Sequence, residues 1–338
     1  MHDSPARDVG RIRVLIPTSR HIYRLVSYGV VLDFEDAVAA ASAVDLVPVP
    51  MYSRRAQLDG LLHGRPLTAS TPPRADYDVC FLVAMAPYWV ESLRYIRNLR
   101  RVARKVVVYL FDAWMADLAA LRAHRGVWAE VDELFVSLPH VASAYSEHLG
   151  RPVHYLPQAT DARWFHPYRR ERPLEVLSIG RRLPSVHGHL LEIARRRDLF
   201  YFYSTHRRPS AINFSEGQEL LGRLLQSAQV HVNWSVEYTS PERADDGEAV
   251  TTRWFESAAS AGVILGRAPA TDEFRRLFPF DGFVHDLSPT ASAPIVEDAL
   301  NGALGDRRYD DRRALAEHVR SAHTWEVRWR EIVELADI

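Results

Sequence analysis

The chain of 338 residues carries 42 Lys and Arg against 43 Asp and Glu, plus 15 His, for a formal charge of −1, which excludes a broad electrostatic attraction to nucleic acid or anionic membrane. With 47% hydrophobic and 25% charged residues it is globular rather than disordered, and its length suits two domains better than one. A single cysteine, Cys80, leaves no internal disulfide and no cysteine-built zinc site.

The stretch 1–10 is polar and lacks the apolar segment of a secretory signal, and no run approaches the ~20 apolar residues of a membrane span. A cytoplasmic location is therefore expected. Lys105 is the only lysine, so nearly all positive charge is arginine.

In chain order, short apolar runs bounded by turn residues or charges predict strands over 12–17, 45–49, 77–85, 105–111, 133–138 and 153–156. Five more follow over 174–179, 199–203, 230–234, 262–265 and 283–287. Helical spacing covers 34–43, 88–103, 115–131, 141–149, 189–197, 217–228, 251–261 and 294–304, and one or two further helices close the chain over 312–338. Several strands are apolar on successive residues, so both sheet faces are expected to be covered. Alternating strand and helix through both halves predicts an α/β chain of two doubly wound, Rossmann-like domains. The charged stretch 165–173, with Pro167 and Pro173, is the expected linker, giving domains of 1–165 and 166–320 and a terminal segment of 321–338. Ligands of such folds bind beyond the carboxyl ends of the strands, in a cleft where two such domains meet, so the loops after strands carry the functional expectation.

After the strand at 174–179 the chain reads Gly180-Arg181-Arg182, with His187, Gly188 and His189 before the next helix. A glycine there permits a tight turn near a ligand, and guanidinium forks suit phosphate oxygens. A second region runs from Asp245-Asp246 through Glu248 to Thr251-Thr252-Arg253-Trp254-Phe255-Glu256 and ends at Gly262. Thr251 and Thr252 are candidate caps of the helix that follows, whose start would favour a phosphate. Glu248 and Glu256 are separated by seven residues; the spacing recurs at Glu326 and Glu334, so its weight comes from its setting across a helix start. A carboxylate accepts two hydroxyls at once, as a sugar diol requires. Asp112, after the strand at 105–111, is either a hydroxyl acceptor or a helix cap. The loop Thr18-Ser19-Arg20-His21 is a candidate for acceptor contacts, Ser204-Thr205-His206 for contacts to a base, and Asn233-Trp234-Ser235 for lining the same pocket.

These residues resemble the retaining glycosyltransferases of the GT-B fold, group 1 (family 4). The likeness rests on Glu248 and Glu256 as a Glu-x7-Glu motif, Gly180-Arg181, the stretch from Leu156-Pro157 to Phe165-His166-Pro167, Arg253-Trp254-Phe255-Glu256 with Ala261-Gly262, and His323-Thr324-Trp325. It covers about residues 150–335; over the first half it is topological. The resemblance implies an acceptor-binding first domain, a nucleotide-sugar-binding second domain, and a last helix that crosses back to the first. It implies that Glu256 binds ribose hydroxyls, Glu248 contacts the transferred sugar and Arg181 neutralises the diphosphate, with Gly180, Arg182, Thr251, Thr252 and Arg253 around the donor and Asp112 facing the sugar or acceptor. Where the family has a second cationic clamp, a lysine, this chain has His187, so either a protonated His187 serves, or Arg182 or Arg253 takes over the clamp, or activity is reduced. The expected reaction is metal-independent and retaining, with no cofactor beyond the nucleotide-diphosphate sugar. Asp245-Asp246 lacks the Asp-x-Asp spacing of metal-using transferases. Expected partners are the nucleotide sugar and a small-molecule, lipid or glycan acceptor, and no nucleic acid. A nucleotide-sugar epimerase of the same fold and a non-catalytic nucleotide-sugar binder are the alternatives.

Overall fold

The computed structural model describes residues 9–22, 26–50, 70–167, 171–204, 213–244 and 247–338. The chain divides into two compact units, one of Met1–Pro157 with Trp325–Ile338 and one of Gln158–Thr324.

In the first unit six parallel strands, β1 (Arg13–Thr18), β2 (Ala43–Pro48), β3 (Tyr77–Ala84), β4 (Ala103–Leu110), β5 (Glu133–Val136) and β6 (His154–Tyr155), lie in the order β2-β1-β3-β4-β5-β6. Val106, Val107, Val108, Tyr109 and Leu110 of β4 are all fully buried, as their unbroken apolar run requires of a strand covered on both faces. Helix Gly29–Ala41 returns from β1 to β2 and packs on the last helix, Trp325–Leu335. Trp325 stacks on Phe34 at 4.8 Å between ring centres, and Trp329 lies 5.1 Å from Phe81. Trp329 Nε1 donates to Ser42 Oγ at 2.9 Å, Arg328 Nε donates to the Pro157 carbonyl at 2.9 Å, and Lys105 Nζ donates to the carbonyls of Ala336 and Asp337.

Two helical expectations break up here. The stretch 88–103 forms a 3₁₀ helix, Pro87–Tyr95, and a short helix, Leu99–Val102. Asn98 stands between them in the left-handed region at φ 56°, which no continuous right-handed helix tolerates. The stretch 115–131 forms three short pieces, Met115–Asp117, Leu118–Ala123 and Arg125–Trp128, the last two parted at His124 by its non-helical backbone.

In the second unit β7 (Leu174–Ser178), β8 (Tyr201–Tyr203), β9 (Ala228–Asn233), β10 (Val263–Gly266) and β11 (Val284–Asp286) are parallel, in the order β11-β10-β9-β7-β8. One core layer gathers Leu221, Trp254, Phe255, Phe274 and Phe278, and another gathers Val186, Leu190, Ile193, Val296 and Leu300. Each unit is thus a doubly wound α/β layer structure, as the alternating pattern predicts. In each, successive strands depart to opposite sides of the first, which opens a crevice between β1 and β3 and another between β7 and β9. No helix among the described residues is long and apolar enough to cross a membrane.

Arg172, in the charged stretch at 165–173, is buried rather than solvated. Its guanidinium donates to the carbonyls of Leu225, Ala228 and Ser260, joining the end of helix Phe214–Ser227, the start of β9 and the end of helix Thr252–Ala259. Burial pulls its pKa down to about 10. Replacing it by methionine removes the donors of three carbonyls, of which that of Leu225 still meets His231 Nε2 at 2.8 Å, so Arg172→Met is expected to lower the unfolding free energy by about 2–4 kcal/mol, read as a lower urea midpoint at unchanged slope.

Candidate active site

Three loops at the carboxyl edge of the second unit's sheet hold the residues in question. After β7, Gly180 adopts φ 92°, a conformation side-chain-bearing residues rarely take, and its N–H reaches Ser204 Oγ at 3.4 Å. Arg181 and Arg182 follow half-buried. Arg182 Nη1 donates to His187 Nε2 at 3.2 Å, and its guanidinium lies over the Tyr203 ring, 5.5 Å from the centre. A guanidinium only donates, so His187 Nε2 must accept and Nδ1 must carry the proton, which it gives to the Tyr201 hydroxyl at 2.8 Å. Burial, and next the Arg182 charge, hold the His187 pKa below its ordinary value. The imidazole is therefore neutral at pH 7. In this structure His187 thus orients Arg182.

After β9 the chain turns through Trp234 and Ser235 into the short helix Val236–Thr239. This turn exposes a residue that sequence reasoning missed, Glu237. Both its carboxylate oxygens are buried and have no hydrogen-bond partner of good geometry among the described residues. Burial above all, with the neighbouring Glu248 adding repulsion, raises its pKa to about 7; the Ser235 hydroxyl, its own amide and Arg181 act in the opposite direction. Arg181, Glu237 and Glu248 thus share one electrostatic neighbourhood although their loops are far apart in sequence. The only sequence signal lay next door, at Asn233-Trp234-Ser235.

The third part is helix Thr252–Ala259 and the loop before it. Thr251 occupies the cap position but its hydroxyl makes no capping bond. Gln158 does that work instead: its Oε1 accepts from Thr252 N at 2.7 Å and from Thr252 Oγ1 at 2.6 Å. The helix is pinned to the end of β9 by Asn233 Nδ2, which donates to Ser257 Oγ at 3.1 Å. One turn in, Glu256 is only 3% exposed. Its Oε2 lies 2.7 Å from Arg253 Nη1, an ion pair in which neither atom achieves hydrogen-bond geometry. Burial raises the Glu256 pKa and Arg253 partly counters it. Arg253 is thereby paired with Glu256, while Arg182 lies beside Arg181 in the loop after β7. Glu248 is half-buried and accepts from the Ala270 amide just past β10. Behind the helix, Gly262 meets the His231 ring so closely that a Cβ would stand 2.2 Å from it.

Asp112 lies in the first unit after β4, where its amide donates to the Met85 carbonyl at 3.0 Å. It does not cap the turn at Met115–Asp117; Trp114 holds that position, and Asp117 Oδ2 accepts from Trp114 N at 3.2 Å. Thr205, His206, Asp245 and Asp246 lie outside the described residues. Among the described residues no three His, Cys, Asp or Glu side chains gather as metal ligands.

The folded Glu237 carboxyl titrates near pH 7, against an unfolded value of ~4.3. Between these values the native state keeps a proton that the unfolded chain has released, so stability falls as pH rises through that window. Glu237→Gln is expected to stabilise the protein at pH 8 by about 1–2 kcal/mol, the full linkage being reduced by partial solvent access, with the gain shrinking towards pH 5 in urea titrations.

No family model matches the chain, and no curated protein matches it by sequence. Solved structures do match along its length. An alpha-glucosyltransferase in complex with UDP and a 13-mer DNA containing an HMU base is 12% identical, covering 97% of this chain and 100% of that one at a TM-score of 0.57. A glycosyltransferase from Rickettsia africae ESF-5 is 9% identical over 96% of this chain and 97% of its own, at 0.51. The catalytic domain of Starch Synthase IV from Arabidopsis thaliana, bound to ADP and acarbose, is 10% identical over 96% and 98%, at 0.50. Two parallel doubly wound units in one chain, matched end to end by these enzymes, identify the fold of this protein as that of the GT-B glycosyltransferases.

Proposed function

We propose that the chain is a retaining, metal-independent glycosyltransferase that moves a sugar from a nucleotide-diphosphate sugar to an acceptor hydroxyl. The observation that carries this reading is Glu256, a carboxylate almost wholly out of water with one oxygen lacking any hydrogen bond among the described residues. Such a group is costly unless a ligand completes it, and a ribose diol supplies two hydroxyl donors. Arg181, and Arg182 held by His187, supply positive charge for the diphosphate. Glu248 and Glu237 accept from hydroxyls of the transferred sugar, and Gly180, Thr251 and Thr252 line the donor. Asp112, on the first unit, is assigned a hydroxyl of the sugar or acceptor.

In this mechanism the bond from the anomeric carbon to the phosphate oxygen breaks with oxocarbenium-like character. Negative charge grows on the departing diphosphate, where fixed guanidinium groups stabilise it more than in the ground state. The acceptor oxygen bonds to the anomeric carbon on the face the phosphate leaves, and its proton passes to the leaving phosphate oxygen. Configuration is retained, and no protein nucleophile is needed.

A thermal-shift screen with UDP, GDP, ADP and dTDP sugars tests the reading, since binding to the folded state raises the melting temperature. One donor class is expected to stabilise the wild type. Glu256→Ala is expected to abolish the shift, and Arg181→Ala to cut turnover on the order of 10²-fold with little change in melting temperature. Unchanged donor affinity in Glu256→Ala would falsify the site. Sugar isomerisation without acceptor would point to an epimerase, and donor binding without turnover across an acceptor panel to a non-catalytic binder.

A further inference from the structure

Arg182 is fixed in place without being neutralised. Its Nη1 donates to His187 Nε2 at 3.2 Å, and its guanidinium lies 5.5 Å from the centre of the Tyr203 ring. Neither partner carries negative charge, and among the described residues Arg182 pairs with no carboxylate. Arg253, by contrast, stands 2.7 Å from the Glu256 carboxylate. A cation ordered by neutral groups at the carboxyl edge of a parallel sheet keeps its whole charge for an anion arriving from solution.

The group that holds it is itself fixed. His187 lies in the first turns of helix Pro184–Arg197, where its N–H donates to the Leu183 carbonyl at 2.9 Å. Its Nδ1 donates to the Tyr201 hydroxyl at 2.8 Å, and the rings of Tyr201 and Tyr203 meet the imidazole edge to face at 5.6 and 4.8 Å. Tyr201 is anchored in β8, buried. Among the described residues the titratable and charged groups facing the imidazole are therefore Arg182 from the loop after β7 and the two tyrosines from β8, with no carboxylate to welcome a second proton. Nε2 has one lone pair. It accepts either the Arg182 N–H or a proton, and the two exclude each other, because an imidazolium would set a positive N–H against the guanidinium 3.2 Å away.

We propose that His187 is an acid-sensitive positioning residue for the nucleotide: its neutral imidazole holds Arg182 on the Tyr203 ring to grip the diphosphate, and protonation of Nε2 releases that hold. Burial and the Arg182 charge keep the imidazole pKa below its ordinary value, which puts the release on the acid side of ~6.5. The grip is complete at neutral and alkaline pH and is lost as pH falls. A lysine at this position would instead carry the charge itself at every pH below ~10. That the anion is a donor's diphosphate rests on the glycosyl transfer proposed above; the acid-sensitive hold on Arg182 does not.

Calorimetric titration of the full chain with UDP-glucose, GDP-mannose, ADP-glucose and dTDP-glucose tests this, since their diphosphate diesters keep the same charge throughout the range. Binding of the donor taken up is expected to weaken about tenfold between about pH 7.5 and pH 5.5 in the wild type. His187→Ala is expected to lose about tenfold already at pH 7.5. His187→Gln, whose amide oxygen accepts from Arg182 but takes up no proton, is expected to restore binding there and to lose the acid weakening. Glu237 and Glu256 are unchanged in these variants, so the difference between the pH profiles belongs to position 187. Side-chain nitrogen NMR of the ligand-free protein is expected to find His187 protonated on Nδ1 at neutral pH, with a pKa that rises towards the ordinary value in Arg182→Met. The same acid weakening in His187→Gln, a proton on Nε2 at neutral pH, or a titration unmoved by Arg182→Met would overturn the proposal. If no donor binds, the transferase reading falls, and the NMR titration alone decides the hold on Arg182.

Discussion

Carboxylates withheld from water are the constraint on which the proposed function of this protein depends. Glu256 on one unit and Glu35 on the other are almost fully buried, each with an arginine beside it; Glu35 accepts from Thr18 and Arg20, whereas Glu256 Oε2 has no hydrogen bond among the described residues. Burial alone would drive such groups to take up a proton, and both do show raised pKa values, Glu35 to about 7. The guanidinium beside Glu256 keeps ionisation within reach without completing the hydrogen bonding. Under the proposed function, that combination at Glu256 is completed by a ligand that brings hydroxyl donors.

The sheets explain why these groups sit where they do. Parallel strands send every chain crossing to the same edge, and strands leaving in opposite directions open a crevice there. In the second unit the crevice is flanked by the Arg181 loop after β7 and the Glu237 loop after β9, with Glu248 tied to the backbone past β10. The supports are rigid and distant in sequence. Gln158 caps the helix that carries Glu256, Asn233 pins it to β9, and Arg172 binds its far end. The site is therefore positioned by backbone and buried polar contacts rather than by flexible loops.

Much of this was legible in the sequence. The eleven strands among the described residues fall on short runs marked out in the sequence, most plainly inner strands such as β4, whose coverage on both faces leaves no polar side to disguise them. Glu256 and Arg181 stood out through their motifs. What escaped depended on long-range partners. Glu237 has no spacing to mark it, and its burial is decided by how β9 sits among its neighbours. Glu35 reads as one acid in an amphipathic helix; only folding brings Thr18 and Arg20 against it. Gln158 acts on a helix 94 residues away. Arg172 resembles a linker charge until its three carbonyl partners are seen. His187 could be taken for a cation from its position, whereas the Arg182 guanidinium beside it requires a neutral acceptor.

The most direct measurement is a crystal structure of the protein with the nucleoside diphosphate that stabilises it most. The account predicts ribose hydroxyls within hydrogen-bond distance of the Glu256 carboxylate and diphosphate oxygens on the guanidinium of Arg181. A diphosphate seated elsewhere, with Glu256 still enclosed by protein alone, would contradict it.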